Sequence, residues 1–397
     1  MTGVVPAPGS VVWFLQDGRG HDAGTGPRTS EFHRRLPGYA VTPLMSSPRL
    51  AANHGLGEVW VKDESQRVGL PSFKILGASW ATYRALQEIG GFDDSDWRSL
   101  GELAELVAAR TPVVRLAAAT DGNHGRAVAR VAAWLGLRAS IFVPRGTSAA
   151  RIEAITREGA TLEVVDGGYG DAVNRSADEA SEDCLVVSDT SWEGYEDIPR
   201  AVVEGYSTIF EEAEEQRSRL GGSAFDVVVV QAGVGALAGA AARTYRSAGR
   251  DARLVCVEPL SAACLLMSMR HGSRVSIPGP HASIMVGLNC DTPSLVAWPE
   301  VSRAFDVFVA IDDDAARAAM RELASEGVVS GETGAAGLAG LIEISSGIAT
   351  EAGAHIALGS HSRVLVISTE GATDPASYAR IVSAPPKVSR GVAEAAP

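Results

Sequence analysis

One lysine in this sequence lies where its side chain could act as a nucleophile. The segment 66–84, QRVGLPSFKILGASWATYR, contains Ser72 as a helix-capping residue, followed by apolar residues at helical spacing: Leu76, Trp80, Tyr83 and, just beyond, Leu86. Lys74 then lies in the first turn of a predicted helix, where the positive end of the helix dipole disfavours a second positive charge. We expect a lowered pKa and a neutral amine, the form that attacks carbonyl groups. By itself the pattern fits an ordinary exposed lysine at least as well.

A glycine-rich loop follows a strongly apolar segment later in the chain. The loop reads QAGVGALAG (231–239), and backbone amides freed by Gly233 and Gly235 at a helix start would form a phosphate cradle. Gly233-x-Gly235-x-x-Ala238 also matches the dinucleotide fingerprint, with Glu258 at the end of the next apolar segment as the acid for a ribose hydroxyl. Taken alone, the loop favours a nicotinamide or flavin dinucleotide over a single phosphate.

A polar loop follows the apolar segment 113–119. It reads TDGNHG (120–125), in which Asn123 offers both a donor and an acceptor, and the helix that it opens could hold a carboxylate with its amides. An Asx turn that caps a helix would explain the same residues, and we expect His124 to be structural.

Two further polar loops end apolar segments. Asp189 follows the segment 184–188 and could simply cap what comes next. Ser368 and Thr369 end the segment 364–368, and their hydroxyls could cap a helix or bond a heteroaromatic nitrogen.

The elements that must position these loops alternate between short apolar strands and helices. This pattern predicts an α/β protein with parallel sheets covered by helices. The predicted strands fall into two clusters, before and after about residue 200, which suggests two sheets and two domains. They are 59–62, 113–119, 140–144, 161–165 and 184–188, then 226–231, 254–258, 306–310 and 364–368. In parallel sheets ligands bind beyond the carboxyl ends of strands, where all four loops lie.

Composition limits the partners and the compartment. A net charge of −13 argues against nucleic acids and anionic membranes, and no segment is apolar for long enough to span a bilayer. The start of the sequence lacks the basic leader of a secretory signal. Cys184, Cys256, Cys264 and Cys290 show no metal-ligand spacing, so we expect no metal site and a reducing cytoplasm.

Together the motifs resemble a known family. Ser72-Phe73-Lys74, a loop with an Asn-His pair, a glycine cradle and a late hydroxyl resemble pyridoxal-phosphate enzymes of fold type II, the tryptophan-synthase β family. Within that group KDESQRVGLPSFKILGA, ATDGNHGR, DTSWEGY, QAGVGALAG, GLNC and STEGATDP are similar to the diaminopropionate ammonia-lyases. The resemblance covers residues from about 60 to 375.

The resemblance implies a fold and an assembly. We expect a large cofactor-binding domain (1–85 and 198–383), a small domain inserted in it (86–197) and a mobile tail (384–397). A homodimer is expected on the same ground.

The resemblance also implies a reaction, an α,β-elimination from D- or L-2,3-diaminopropionate that gives pyruvate and two ammonia molecules. Asp121 favours this substrate, because the dehydratases have a small neutral residue there, and carboxylates at Asp121 and Asp189 would select a second, cationic amine. A serine or threonine dehydratase, or another β-eliminating amino-acid lyase of the same fold, is the alternative.

The site residues implied by the resemblance divide into cofactor and substrate groups. Lys74 would hold pyridoxal 5'-phosphate covalently and take the α-proton of the L-isomer, and Asp121 would take that of the D-isomer. Asp189 would bind or discharge the leaving amine, and Thr120 would contact the substrate. The remaining cofactor contacts are Phe73 beside the ring, Asn123 at the phenolic oxygen, Ser368 (or its neighbour Thr369) at the ring nitrogen, and Gly233, Val234, Gly235, Ala236 and Leu237 around the phosphate.

Overall fold

A computed structural model describes residues 11–18, 29–120, 122–246, 250–345 and 349–384 of the 397 residues. The side chain of Asp121 and nearly all of the predicted C-terminal tail lie outside the described residues.

Within the described residues the strands form one seven-stranded and one four-stranded sheet. In chain order the strands are β1 Val12–Leu15, β2 Leu44–Ser46, β3 Glu58–Asp63, β4 Arg115–Ala119, β5 Arg138–Pro144, β6 Thr161–Val165, β7 Cys184–Val186, β8 Val227–Gln231, β9 Arg253–Pro259, β10 Val307–Ile311 and β11 Arg363–Ser368. All nine predicted strands are confirmed. The two that the sequence did not predict, β1 and β2, are short antiparallel edge strands.

Helices connect and cover the strands. They are α1 Thr29–His33, α2 Pro48–Asn53, α3 Lys74–Gly90, α4 Leu100–Arg110, α5 Asn123–Trp134, α6 Ala149–Thr156, α7 Tyr169–Ala177, α8 Asp197–Arg219, α9 Ala236–Tyr245, α10 Cys264–His271, α11 Trp298–Ala304, α12 Asp313–Ser325, α13 Ala336–Ser345, α14 Thr350–His355 and α15 Pro375–Ser383. Short 3₁₀ turns lie at Leu260–Ala262 and Val286–Leu288. Among the described helices none is long and apolar enough to cross a bilayer.

The larger sheet has the order β1-β10-β9-β8-β11-β3-β2 and is parallel except at its two edges. Its central strands are buried on both faces, which is why they are continuous β-branched segments in the sequence. On β8, Val228 and Val230 pack into one apolar cluster, whereas Val227 and Val229 pack into another on the opposite face. The alternation follows from the two-residue period of a strand.

The smaller sheet has the order β6-β5-β4-β7, and all of its pairs are parallel. Its strands lie within 86–197, and those of the larger sheet lie outside that range. The two mainly parallel, helix-covered sheets confirm the predicted fold class. The domain limits at residues 85 and 198 stay a prediction.

Two glycines fix helix α3, which carries Lys74, against helix α8. A Cβ on Gly77 would lie 2.4 Å from Cε1 of Tyr206, and one on Gly205 would lie 2.5 Å from the Leu76 carbonyl oxygen. Only hydrogen fits at these two points, so the helix backbones approach closely. The apolar stripe of α3 is buried as predicted, at Leu76, Trp80, Tyr83 and Leu86.

The predicted capping role of Ser72 is wrong. The N-cap of α3 is Phe73, no side chain caps it, and Ser72 instead forms an isolated antiparallel bridge with Glu370. This backbone pairing connects the segment before Lys74 to the loop after β11, a long-range contact that local sequence does not encode.

Candidate active site

The four loops predicted to carry chemistry meet, together with the Lys74 segment, in one cleft. In the larger sheet β8, β11 and β3 are neighbours, and in the smaller sheet β4 and β7 are neighbours, so the loops after these five strands converge. The cleft has a volume of about 850 Å³ including its open mouth. Its lining from these loops is Phe73, Lys74, Thr120, Gly122, Asn123, His124, Asp189, Gln231, Ala232, Gly233, Val234, Gly235, Ala236, Leu237, Thr369 and Glu370.

Lys74 is the first residue of α3, as the sequence predicted, and its amine is paired. Nζ donates to Oδ2 of Asp189 at 2.7 Å. Burial by itself would lower the pKa of Lys74, but the adjacent Asp189 carboxylate outweighs burial and raises that pKa above its usual value. The expected lowering is therefore wrong for this state of the site, because a full charge in contact exceeds the partial charge of a helix end.

Asp189 is held in its ionised form. Burial would raise its pKa, but the Lys74 ammonium in contact with it lowers the pKa well below the usual range. Its other oxygen, Oδ1, accepts a hydrogen bond from the Tyr169 hydroxyl at 3.0 Å. The site thus contains a buried carboxylate that keeps its charge and is oriented on both oxygens.

His124 is anchored to the backbone beside this pair. Its Nε2 donates to the Val187 carbonyl at 2.8 Å, and its Nδ1 lies 4.0 Å from Oδ2 of Asp189. Burial lowers the pKa of His124, so the ring is neutral with its proton on Nε2.

The glycine loop forms an anion cradle. Gly235 is the N-cap of α9 with φ +99°, and no side chain caps this helix, so the amides of its first turn are open to the cleft. A Cβ on Gly233 would lie 2.8 Å from the Cys290 sulfur and 3.2 Å from the Gly287 carbonyl oxygen. A phosphate fits the open amides and the positive end of α9.

Glu258 does not serve this cleft. Its two carboxyl oxygens accept the backbone N–H groups of Leu265 and Leu266, both at 2.8 Å, in the first turn of α10. Glu258 is fully buried and is not among the residues that line the cleft, so it is not placed to accept a ribose hydroxyl as the dinucleotide interpretation requires. Burial raises the pKa of Glu258 to about 8.

Asn123 is oriented by Glu370, an acid to which the sequence analysis gave no role. The Asn123 amide donates to Oε2 of Glu370, whose Oε1 accepts the backbone N–H of Thr333 at 3.3 Å. The second N–H of the Asn123 amide remains for a ligand. Burial raises the pKa of Glu370 above its usual value.

Of the two candidate hydroxyls, the structure turns Thr369 rather than Ser368 to the cleft. Ser368 donates to the Ser330 hydroxyl at 2.9 Å and is not among the lining residues. Thr369 lines the cleft, where its oxygen accepts from Nε2 of Gln231 at 3.0 Å. Ser368 and Thr369 are consecutive residues at the end of β11, and the path of the backbone there determines which of their hydroxyls faces the cleft.

Residues outside the motifs complete the cleft. Arg151 and Tyr169 line the cleft from the starts of α6 and α7, and no local sequence pattern identifies them. Glu370 could have been predicted, because this acid directly follows the two hydroxyl residues at the end of β11. None of the four cysteines, all of which are described, forms a disulfide. Cys264 and Cys290 both lie next to Gly233. The Cys264 sulfur is 3.6 Å from the Gly233 carbonyl oxygen, and the Cys290 sulfur would be 2.8 Å from a Cβ at Gly233.

Comparisons with known proteins identify the family of this chain and its fold. A family model described as "Pyridoxal-phosphate dependent enzyme" matches residues 35–370. The diaminopropionate ammonia-lyase of Salmonella typhimurium is 35% identical over 380 residues, which cover 91% of this chain and 92% of that protein. The holo crystal structure of the Escherichia coli diaminopropionate ammonia-lyase superposes with a TM-score of 0.85 at 32% identity, covering 94% of this chain and 97% of that one. The same enzyme in complex with D-serine gives a TM-score of 0.84 at the same identity and coverage.

Proposed function

Because the chain belongs to the pyridoxal-phosphate dependent enzyme family, we propose that it eliminates ammonia from 2,3-diaminopropionate. Its cofactor is pyridoxal 5'-phosphate. One substrate molecule and one water give pyruvate and two ammonia molecules. The observation that carries the substrate is Asp189, a buried and ionised carboxylate 2.7 Å from the Lys74 amine, because a second cationic amine is what distinguishes this substrate from serine or threonine.

The cleft supplies the groups that would hold the cofactor. Lys74 would bind it covalently, and the amides of 233–237 would hold its phosphate. The free N–H of Asn123 would donate to its phenolic oxygen, and Phe73 would pack beside its ring. Thr369 replaces Ser368 as the hydroxyl that we assign to the ring nitrogen, since Thr369 lines the cleft. When bound, the cofactor withdraws electrons from the α-carbon of an attached amino acid and so makes its α-hydrogen acidic.

A different residue would then take the single α-proton of each isomer. The Lys74 amine would take the α-proton of the L-isomer, and Asp121 would take that of the D-isomer. Thr120 and Gly122, the neighbours of Asp121, line the cleft. Asp189 would hold the β-ammonium group by charge, with Tyr169 fixing the orientation of the carboxylate.

We also propose a homodimeric, cytoplasmic enzyme with the domain limits given above. The reducing compartment is supported by the four cysteines, none of which forms a disulfide. The homodimer is an expectation from the family resemblance.

The test is an assay of pyruvate and ammonia with D- and L-2,3-diaminopropionate, serine and threonine as separate substrates. We expect turnover of diaminopropionate with two ammonia molecules per pyruvate, whereas serine yields one. Lys74→Ala should remove both the activity and the borohydride-sensitive visible absorbance of the lysine-linked cofactor. Preferred turnover of serine or threonine would favour the dehydratase alternative, and normal turnover by Lys74→Ala would refute the assigned role of the lysine.

A further inference from the structure

Arg151, the third residue of α6, is a half-buried arginine that lines the active-site cleft and has no ion-pair partner among the described residues. No described residue forms an ion pair or a side-chain hydrogen bond with its guanidinium group. Four nearby arginines behave differently, since they pair with carboxylates: Arg126 and Arg130 of α5 with Glu158, Arg145 just after β5 with Asp166, and Arg157 just after α6 with Glu153. With respect to the part of the chain that the structure describes, the Arg151 cation is therefore available for a ligand.

The position of Arg151 depends on a glycine at the start of α5. A Cβ on Gly122 would lie 3.1 Å from Cδ of Arg151, so the bare backbone at Gly122 lets the arginine stem pass over the beginning of that helix. Gly122 is the N-cap of α5 and provides no side chain to cap it. The stem of Arg151 therefore lies next to the open amides of the first turn of α5, and Arg151, Gly122 and Asn123 all line the cleft.

The charge of Arg151 reaches the floor of the cleft. Burial raises the pKa of Glu370. Of the interactions that lower this pKa, the one with the positive charge of Arg151 is the strongest. Glu370 itself is already engaged by Asn123 and by the Thr333 amide. The guanidinium is therefore close enough to act on an anionic group bound between these residues.

We propose that Arg151 binds the α-carboxylate of the amino-acid substrate. The inference rests on the proposed function, because it takes the ligand to be an amino acid. A diamino acid carries one negative and one additional positive group, and the cleft then offers Arg151 for the first and Asp189 for the second. A guanidinium matches a carboxylate with two parallel hydrogen bonds, which a lysine at the same place cannot form.

The experiment compares an amino acid with its carboxamide, which lacks the negative charge. D-Serine and D-serinamide are titrated into holoenzyme, and the dissociation constants are read from the visible absorbance of the cofactor. In Arg151→Gln we expect about 10- to 100-fold weaker binding of D-serine, the range of a charge-assisted hydrogen bond, with binding of D-serinamide changed less than about threefold. Arg151→Lys should be intermediate. With diaminopropionate as substrate, Arg151→Gln should raise KM by a larger factor than it lowers kcat.

The matched control is Arg157→Gln at the C-cap of α6, because Arg157 is exposed and paired with Glu153. It should leave both dissociation constants unchanged. Equal weakening of the acid and the amide in Arg151→Gln, or no weakening of either, would overturn the assignment. The binding measurement does not require turnover, so the two proposals can fail separately. If the wild type releases no pyruvate from diaminopropionate, the proposed function is refuted. If Arg151→Gln still loses the preference for D-serine over D-serinamide, the role of Arg151 is supported.

Discussion

The Lys74 amine and the Asp189 carboxylate, 2.7 Å apart, join segments that follow strands of two different sheets. Lys74 comes after β3 of the larger sheet, and Asp189 comes after β7 of the smaller one. The ion pair raises the pKa of the amine and lowers that of the acid. Any change at Asp189 therefore alters the protonation of Lys74.

Asp189→Asn should lower pyruvate release by about 100-fold or more, because it removes the charge that holds the leaving amine. In the apoenzyme the same change should lower the pKa of Lys74, so that acylation of this amine, followed by mass spectrometry, becomes rapid at a lower pH than in the wild type. Asp183→Asn, an exposed acid just before β7, serves as the control. An unchanged pH dependence of Lys74 acylation would contradict the electrostatic argument.

Asp121→Asn should separate the two stereoisomers. If the carboxylate takes the α-proton of the D-isomer alone, the variant loses turnover of D-diaminopropionate by about 100-fold or more and retains most turnover of the L-isomer. Pyruvate release with each isomer measures this, and the L-isomer is the internal control. Equal losses for both isomers would show that two separate bases are not used.

Gly233→Ala should weaken cofactor binding. The added Cβ would lie 2.8 Å from the Cys290 sulfur, so the loop must shift and the amides that hold the phosphate move with it. We expect this overpacking to raise the dissociation constant of pyridoxal 5'-phosphate about tenfold. Titration of the apoenzyme with the cofactor measures this constant. Gly101→Ala is the control, because the nearest atom to its Cβ, the Ser99 hydroxyl oxygen, is 3.9 Å away. Equal affinities in the two variants would argue against the cradle.

Glu258 should make stability depend on pH. Its folded-state pKa is raised from 4.5 to about 8, so between these values the folded protein retains a proton that the unfolded chain has lost. The free energy of unfolding should accordingly be highest at the acidic end of this window and fall as the pH rises, by about 1.4 kcal/mol per pH unit at most from this group.

Urea unfolding at pH 5, 6.5 and 8 measures this slope, which Glu258→Gln should flatten. Glu105→Gln, an exposed acid on α4, should keep the wild-type slope. The same slope in wild type and Glu258→Gln would mean that Glu258 does not titrate in this range.

Sequence by itself determined the strands, the loops at their ends and the family. The β-branched segments are buried on both faces, so a local pattern is enough to find them, and Gly233 and Gly235 encode a cradle because backbone geometry there requires glycine. Phe73, Lys74, Thr120, Asn123, Asp189 and the residues 233–237 all line the one cleft.

Tertiary structure alone decided the electrostatics of the site and the identity of several residues in it. The charge of Lys74 depends on Asp189, which is 115 residues away in the chain, and the orientation of Asn123 depends on Glu370, which is 247 residues away. Thr369 rather than Ser368 faces the cleft because of how the chain leaves β11, and Arg151 reaches the cleft only because Gly122 lies beneath it. These properties arise from contacts between distant segments, and such contacts leave no periodic signal in the sequence.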